Sequence, residues 1–206
     1  MTDAPARSAD ADDRNRQARG DRRRQQIIDA AVALFAEGGY RGTGVAALAE
    51  RVGMTATGLL YYFGSKERLL REVVAERDRG DLAHLQGEVR LADLRGIGRH
   101  NAQEDVQVRL FAVLAAESFD VAAPLHEFFV ERNNLIRSFL RGVIEAEQGR
   151  GTVRPDIDIH QLAREILGVM IGIEQQWQID PEHFDYPTAI ETYFDRLIAD
   201  LSPEDL

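Results

Sequence analysis

Residues 41–70 read RGTGVAALAERVGMTATGLLYYFGSKERLL, and this stretch decides the fold of the N-terminal part of the chain. It contains two short helical segments joined by a glycine-bearing turn of about three residues, which is the helix-turn-helix pattern. Ala49 is small where the two helices would cross, and Gly53 gives the turn a permissive backbone. Thr43 and Thr55 are each placed to cap the helix that follows. We therefore predict that the second helix can enter a DNA major groove by its N-terminal end.

The region upstream of this stretch divides into a tail and a helix. An apolar helical stripe followed by the glycine pair at 38–39 predicts a first helix over residues 21–37. Residues 1–20 mix Asp, Ala and Arg without apolar periodicity, and we predict a disordered tail there. The helix-turn-helix domain is accordingly predicted to span residues 21–66.

The remaining residues, 67–206, are predicted to form a larger helical domain. Helical periodicity interrupted by Gly and Pro predicts a fourth helix from Ser65 to about Val89 and later helices at roughly 103–118, 122–148, 157–178 and 187–201. Gly96 and Gly98 argue against one regular helix between Leu91 and Asn101. Because no alternating strand and no internal repeat is evident, the predicted fold class is all-α.

Composition narrows the function classes. Hydrophobic residues make up 44% and charged residues 29% of the 206, as in an ordinary globular protein, and neither a membrane span nor a signal peptide is predicted. We therefore expect a cytoplasmic location. Cysteine is absent, and the five histidines never have the spacing of a helical metal pair, so no metal or cofactor is predicted. Without a phosphate-binding loop or nucleophile elbow, an enzyme is not expected.

Charge is distributed unevenly along the chain. Residues 1–70 hold 11 basic and 9 acidic side chains, whereas residues 71–206 hold 14 basic and 26 acidic ones. Because phosphate contacts dominate affinity for nucleic acid, only the N-terminal part is expected to face DNA. An equally good explanation for the acidity of residues 71–206 is that it keeps the protein soluble.

The quoted stretch resembles the signature of the TetR-type transcriptional regulators. The matching features are a threonine opening the second helix, an apolar-Ala pair, a glycine turn, a tyrosine-rich third helix and a Ser-Lys-Glu start to the fourth, found here as Thr43, Leu48-Ala49, Gly53, Tyr61-Tyr62-Phe63 and Ser65-Lys66-Glu67. The resemblance implies a homodimer of about nine helices, an operator with two inverted half-sites and a small-molecule inducer bound in the C-terminal domain. The chain departs from the family at Leu60, where a tyrosine commonly contacts phosphate, and at Gly44, where Ser or Thr is frequent.

Candidate DNA contacts follow from the helix-turn-helix. The start of the third helix offers only short side chains for base contact, so methyl contacts and DNA deformation would carry more of the specificity. Lys66, the only lysine, begins a helix whose dipole disfavours a cation, which favours a phosphate partner. The alternatives are core aromatics for the tyrosines and a solvated face for the arginines. The predicted set is Arg22, Arg23, Thr43, Gly44, Thr55, Ala56, Thr57, Gly58, Tyr61, Tyr62 and Lys66.

The C-terminal domain carries two further predictions. Broad apolar faces on the last two helices predict a dimer interface at Ile166, Met170, Ile173, Tyr193, Phe194, Leu197 and Ile198, with a monomer core as the alternative. An apolar pocket with a few polar groups is predicted at Phe111, Leu114, Glu117, Phe128, Arg132, Met170, Glu174 and Trp177, where core packing is the alternative. The main functional prediction is a ligand-released DNA-binding repressor that acts on a double-stranded DNA operator. The second is a helical DNA-binding or interaction protein without a ligand switch.

Overall fold

The predicted all-α class is confirmed by a computed structural model, which describes the backbone of residues 6–83 and 88–203 and the side chains of residues 17–75 and 88–203. Within these ranges the secondary structure is helical and no strand occurs. The helices are α1 (Ala6–Gly42), α2 (Val45–Arg51), α3 (Ala56–Phe63), α4 (Lys66–Ala83), a short 3-10 helix (Leu91–Gly96), α5 (Ile97–Gln103), α6 (Asp105–Glu117), α7 (His126–Gly149), α8 (Ile159–Ile179) and α9 (Tyr186–Leu201).

The chain forms two compact units, Met1–Asp78 and Arg79–Leu206. This boundary lies within α4, whereas the sequence analysis places it after residue 66, the first residue of that helix. Leu69 and Val73 on the first half of α4 are buried, and Glu72 forms an ion pair with Arg24 of α1. These contacts explain why the first half of α4 stays with the N-terminal unit.

The first helix begins earlier than predicted. Residues 6–20 are part of α1 rather than a disordered tail, because Ala and Arg favour helix and no proline interrupts them; residues 1–5 lie outside the described residues. The predicted stop is found at Gly39, whose φ of 66° and ψ of 179° interrupt helical geometry. Such a positive φ is easily reached only without a side chain.

The C-terminal unit has one main core, to which α7, α8, α9 and the 3-10 helix contribute. The ring of Trp177 stacks on Tyr186 with centroids 4.6 Å apart, and Asn101 donates a hydrogen bond of 3.1 Å to the Tyr186 hydroxyl. A Cβ at Gly98 would lie 3.0 Å from atoms of Pro187 and Ile190. The glycine that argued against a helix in the sequence is therefore what allows α5 to pack closely on α9. No helix in the described ranges is long and apolar enough to cross a bilayer.

A buried carboxylate joins the start of the 3-10 helix to the end of α7. The side chain of Glu147 is 5% exposed and accepts hydrogen bonds from Arg90 Nε at 2.6 Å, from the Leu91 N–H at 3.3 Å and from the Thr152 hydroxyl. The hydrogen bonds from Arg90, assisted by those from Thr152 and Leu91, lower the pKa of Glu147 to about 2, although burial opposes this. Sequence analysis missed this network because its members are far apart in the chain.

Candidate DNA interface

The turn between α2 and α3 has the geometry expected of a helix-turn-helix. Gly53 has a φ of 65°, and its N–H donates to the Glu50 carbonyl at 3.0 Å. The Met54 N–H then donates to the Ala49 carbonyl at 2.8 Å, so the turn closes directly on the end of α2. Ala49 itself is buried, as its small size at the crossing predicts. The backbone conformation and hydrogen bonds of the turn therefore set the direction in which α3 continues from α2.

The start of α3 is capped by a threonine. Thr55 has extended backbone angles, and its Oγ1 accepts a hydrogen bond of 3.1 Å from the Gly58 N–H, as a helix N-cap should. A Cβ at Gly58 would lie 3.2 Å from that same oxygen, closer than side chains usually pack. The lack of a side chain at Gly58 therefore leaves room for the Thr55 hydroxyl that caps α3. The exposed positions Ala56 and Thr57 stand on the first turn, where backbone N–H groups give positive partial charge.

The two sides of α3 differ in exposure. Leu59 and Phe63 are buried, whereas Tyr61 is 86% exposed, which excludes the alternative that this ring belongs to the core of its own chain. Tyr62 is half-buried, and its ring lies between those of Tyr61 and Phe63 at centroid distances of 6.0 and 6.5 Å. The helix therefore presents Thr57 and Tyr61 to solvent while its other side holds the domain together.

Thr43 does not cap α2, which corrects the sequence prediction. The residue is 5% exposed, and its hydroxyl lies 2.8 Å from the Gly39 carbonyl and 3.0 Å from the Leu34 carbonyl. The N-cap of α2 is the exposed Gly44, which has no side-chain hydrogen bond to offer. The hydroxyl is turned inward because the interruption of α1 at Gly39 leaves carbonyls that need donors. Thr43 therefore stabilises the end of α1. Because its side chain is buried, it is not accessible for the predicted direct contact with DNA.

Lys66 has intramolecular partners. Its Nζ donates to the carbonyls of Tyr40 at 2.7 Å and Thr43 at 2.8 Å, and it lies 4.0 Å from the centroid of the Tyr40 ring. The two carbonyl oxygens provide the negative partial charge that the sequence argument assigned to a DNA phosphate. The predicted phosphate contact of Lys66 stays a prediction.

The arginines at the start of the predicted first helix have different environments. Arg22 is exposed, whereas Arg23 donates to the Val52 carbonyl at 2.6 Å and to Gln26 at 2.9 Å. Arg24 pairs with Glu72 and lies over the Phe63 ring. Arg23 therefore holds the end of α2 against α1, and of the two predicted arginine contacts Arg22 has the more accessible side chain.

Some of the predicted pocket residues come together on α6 and α7. The ring of Phe111 lies 6.2 Å from that of Phe128 and 5.9 Å from that of Phe129, and the guanidinium carbon of Arg132 is 4.6 Å from the Phe111 centroid. We call these four residues the α6–α7 aromatic group. Trp177 and Met170 belong instead to the main core or pack against it, while Leu114 is buried on α6 and Glu117 and Glu174 are half-buried.

The predicted dimer residues divide into two classes. Ile166 and Phe194 have no exposed surface and lie in the core of their own chain, so a partner could not reach them; their assignment to an interface is corrected. Periodicity identified them as apolar but could not identify which neighbours cover them. The partly exposed members are Met170, Ile173, Tyr193, Leu197 and Ile198. Val169 and Ile171 on α8, which the sequence analysis did not include, are more exposed.

Comparison with known proteins identifies the N-terminal unit. The family model for bacterial regulatory proteins of the tetR family matches residues 27–73, which include α2, the turn, α3 and the start of α4. The HTH-type transcriptional repressor KstR2 of Rhodococcus jostii (strain RHA1) is 29% identical over 166 residues, which cover 75% of this chain and 79% of that protein.

Solved structures resemble the fold over most of the chain. The transcriptional regulator FadR from Bacillus subtilis in complex with stearoyl-CoA has a TM-score of 0.70 at 18% identity, covering 85% of this chain and 97% of that one. The ketosteroid transcriptional regulator KstR2 of Mycobacterium tuberculosis has a TM-score of 0.63 at 22% identity, covering 88% and 96%. The helix-turn-helix geometry and these similarities agree: residues 27–73 are a DNA-binding domain of the tetR family of bacterial regulatory proteins, and the chain is a DNA-binding transcription regulator.

Proposed function

We propose that this regulator is a repressor that reads an operator with the first turn of α3 and with Tyr61. The observation that carries the proposal is the exposure of that tyrosine, 86%, on a helix whose other side is buried in the domain. An aromatic ring this exposed can contact a base edge, a thymine methyl or the sugar-phosphate backbone. Thr57 adds one hydroxyl and one methyl group on the same exposed side.

The test is to select preferred duplexes from a random library and to measure binding of Tyr61→Ala to them. We expect the variant to lose about 10-fold to 100-fold in affinity, since a good base contact is worth about 1–3 kcal/mol. Phe119→Ala is the matched control, because Phe119 is 83% exposed but lies on the loop after α6. If Tyr61→Ala bound the selected duplex as tightly as the control does, Tyr61 would not be a contact.

The proposed assembly is a homodimer formed through α8 and α9. Val169 and Ile171 on α8 keep 37% and 42% of their surface exposed, next to the partly exposed residues of the predicted interface. A twofold axis there would give the dimer two symmetry-related copies of α3, which matches an operator of two inverted half-sites whose centres lie one DNA turn, roughly 34 Å, apart. Light scattering at micromolar concentration should give twice the 23.1 kDa of one chain; a mass of one chain would exclude the dimer.

The proposed ligand is an apolar molecule with an anionic group, bound at the α6–α7 aromatic group. Three aromatic rings and one guanidinium offer apolar surface together with a cation. Stearoyl-CoA, the ligand named for the FadR structure, has this chemistry and is a reasonable first probe. Saturating stearoyl-CoA should weaken operator binding, and the operator should weaken stearoyl-CoA binding by the same factor.

Arg132→Gln should reduce the affinity for the probe while leaving operator binding intact. Half-buried Arg137 on the same helix gives the control variant, Arg137→Gln, with the same loss of one charge. If neither stearoyl-CoA nor small-molecule extracts altered operator binding, the second hypothesis, a DNA-binding protein without a ligand switch, would be the better description.

A further inference from the structure

We propose that Lys66 is a positioning residue of the DNA-binding unit. Its ammonium holds the end of α1 and the start of α2 against the start of α4, and so sets the place from which α2 and α3 are presented to DNA. The inference rests on the proposed DNA recognition by α3, but it concerns how that recognition is built rather than which atoms touch the bases.

Two short hydrogen bonds and one ring contact support this role. The Lys66 ammonium donates to the carbonyls of Tyr40 at 2.7 Å and Thr43 at 2.8 Å, residues that are 26 and 23 positions away in sequence. It also lies 4.0 Å from the centroid of the Tyr40 ring, within cation–π distance. Hydrogen bonds from a charged donor are about twice as strong as neutral ones. One half-buried side chain therefore joins α4 to the connection between α1 and α2.

The connection that Lys66 holds lies between two glycines, which have no side chain to anchor it. Gly39 interrupts α1 with a positive φ, and Gly44, the N-cap of α2, provides no side-chain cap. The Thr43 hydroxyl anchors the segment to α1 through the carbonyls of Leu34 and Gly39. Lys66 supplies the corresponding anchor from the α4 side.

The position of α3 follows from that of α2. The Leu48 N–H donates to the Gly44 carbonyl at 3.2 Å, which begins the hydrogen bonding of α2, and the Met54 N–H donates to the Ala49 carbonyl at 2.8 Å, which closes the turn before α3. A shift at residues 40–44 is thus passed through α2 and the turn to Thr57 and the rest of the first turn of α3. Displacements of about 1 Å at contact groups are enough to lose directional hydrogen bonds.

The same contacts explain why a cation occupies the first residue of α4. The helix dipole disfavours positive charge there. The two carbonyl oxygens and the Tyr40 ring offset that cost within the chain, so the lysine is explained without a DNA phosphate. A phosphate would have to compete with the two carbonyls for the same ammonium.

The binding experiment compares Lys66→Met, Lys66→Arg and the control Arg71→Gln, which removes one exposed cation from the same helix. The affinity of each protein is measured for a duplex selected from a random library and for its scrambled form, over a range of salt concentrations. A positioning role predicts that both Lys66 variants lower the ratio of the two affinities at least about tenfold, since a guanidinium cannot reproduce two bonds converging on one nitrogen. The slope of log affinity against log salt should equal that of the wild type in both variants.

A phosphate contact predicts a different pattern. Lys66→Met would then weaken both duplexes alike and reduce the salt slope by about one, and Lys66→Arg would keep the wild-type ratio because it keeps the charge. That result would overturn the inference. Where Lys66→Met fails to fold, Lys66→Arg decides the matter alone, because the two hypotheses predict opposite outcomes for it.

A second readout needs no DNA. Amide hydrogen exchange of the free protein should be about tenfold faster over residues 40–54 in the Lys66 variants, with residues 22–34 of α1 and the C-terminal unit unchanged. Unchanged exchange over residues 40–54, or equal acceleration throughout the N-terminal unit, would contradict a positioning role. Failure of the wild type to discriminate between duplexes would refute the proposed function and leave this exchange result standing.

Discussion

Replacing Glu147 with Gln should destabilise the C-terminal unit by about 2 kcal/mol at neutral pH. The pKa of this carboxyl is lowered from 4.5 to about 2, chiefly by the hydrogen bonds from Arg90. Each tenfold change in proton affinity is worth about 1.4 kcal/mol, so the lowering corresponds to about 3 kcal/mol. Because the Arg90 side chain is 44% exposed, solvent screening reduces the expected value to about 2 kcal/mol.

The effect has a definite pH dependence. A carboxyl whose pKa is lower in the folded state stabilises the fold fully above the unfolded pKa of 4.5, and the contribution is lost as the pH falls towards 2. At pH 3 less than half of it should remain. The difference in unfolding free energy between Glu147→Gln and the wild type should therefore narrow from about 2 kcal/mol at pH 7 to about 1 kcal/mol or less at pH 3.

Urea unfolding at a fixed protein concentration measures this difference. Trp177, the only tryptophan, lies in the core of the same unit and reports its unfolding through fluorescence. Exposed Glu145, two residues away on α7, gives the control Glu145→Gln, which should change stability by less than about 0.5 kcal/mol. Equal destabilisation by Glu147→Gln at pH 7 and pH 3 would refute the argument that the charge of Glu147 carries the effect.

Two further substitutions test the local geometry of each unit. Gly98→Ala should lower the unfolding free energy of the C-terminal unit by about 1–3 kcal/mol, because the added Cβ would lie 3.0 Å from Pro187 and Ile190. Gly96→Ala, which meets nothing within 4 Å, is its control, and equal unfolding free energies for the two variants would contradict the close packing of α5 on α9. Thr55→Ala should cost the N-terminal unit about 1 kcal/mol through loss of the α3 cap, measured by thermal unfolding of the free protein, whereas Thr55→Ser should retain most of it. A Thr55→Ala protein as stable as Thr55→Ser would show that the hydroxyl does not cap α3.

The parts of the fold that follow from local rules could be predicted from the sequence. Gly53 at the turn, Thr55 as the cap of α3 and Gly39 as the stop of α1 each have a conformation set by the residue itself or by neighbours within four positions. The same holds for the boundaries of α8 and α9, where apolar periodicity is strong. These features required no knowledge of tertiary contacts.

The parts that depend on distant backbone atoms could not be predicted. Thr43, Lys66 and Arg23 were all assigned to DNA, yet their polar atoms contact carbonyl oxygens that lie up to 29 positions away in sequence. A carbonyl is present at every residue, so no residue pattern shows where a side chain will find one. Ile166 and Phe194 illustrate the same difficulty for burial, since periodicity identifies an apolar stripe but not what covers it.

The central claim is that the first turn of α3, fixed by its cap and its turn, reads bases. The most direct measurement is the ratio of wild-type affinities for a duplex selected from a random library and for a scrambled duplex of the same length and composition, by fluorescence anisotropy at about 0.15 M salt. We predict a preference of at least about 10³-fold, as for other specific DNA-binding proteins. Equal affinity for the two duplexes would contradict the claim.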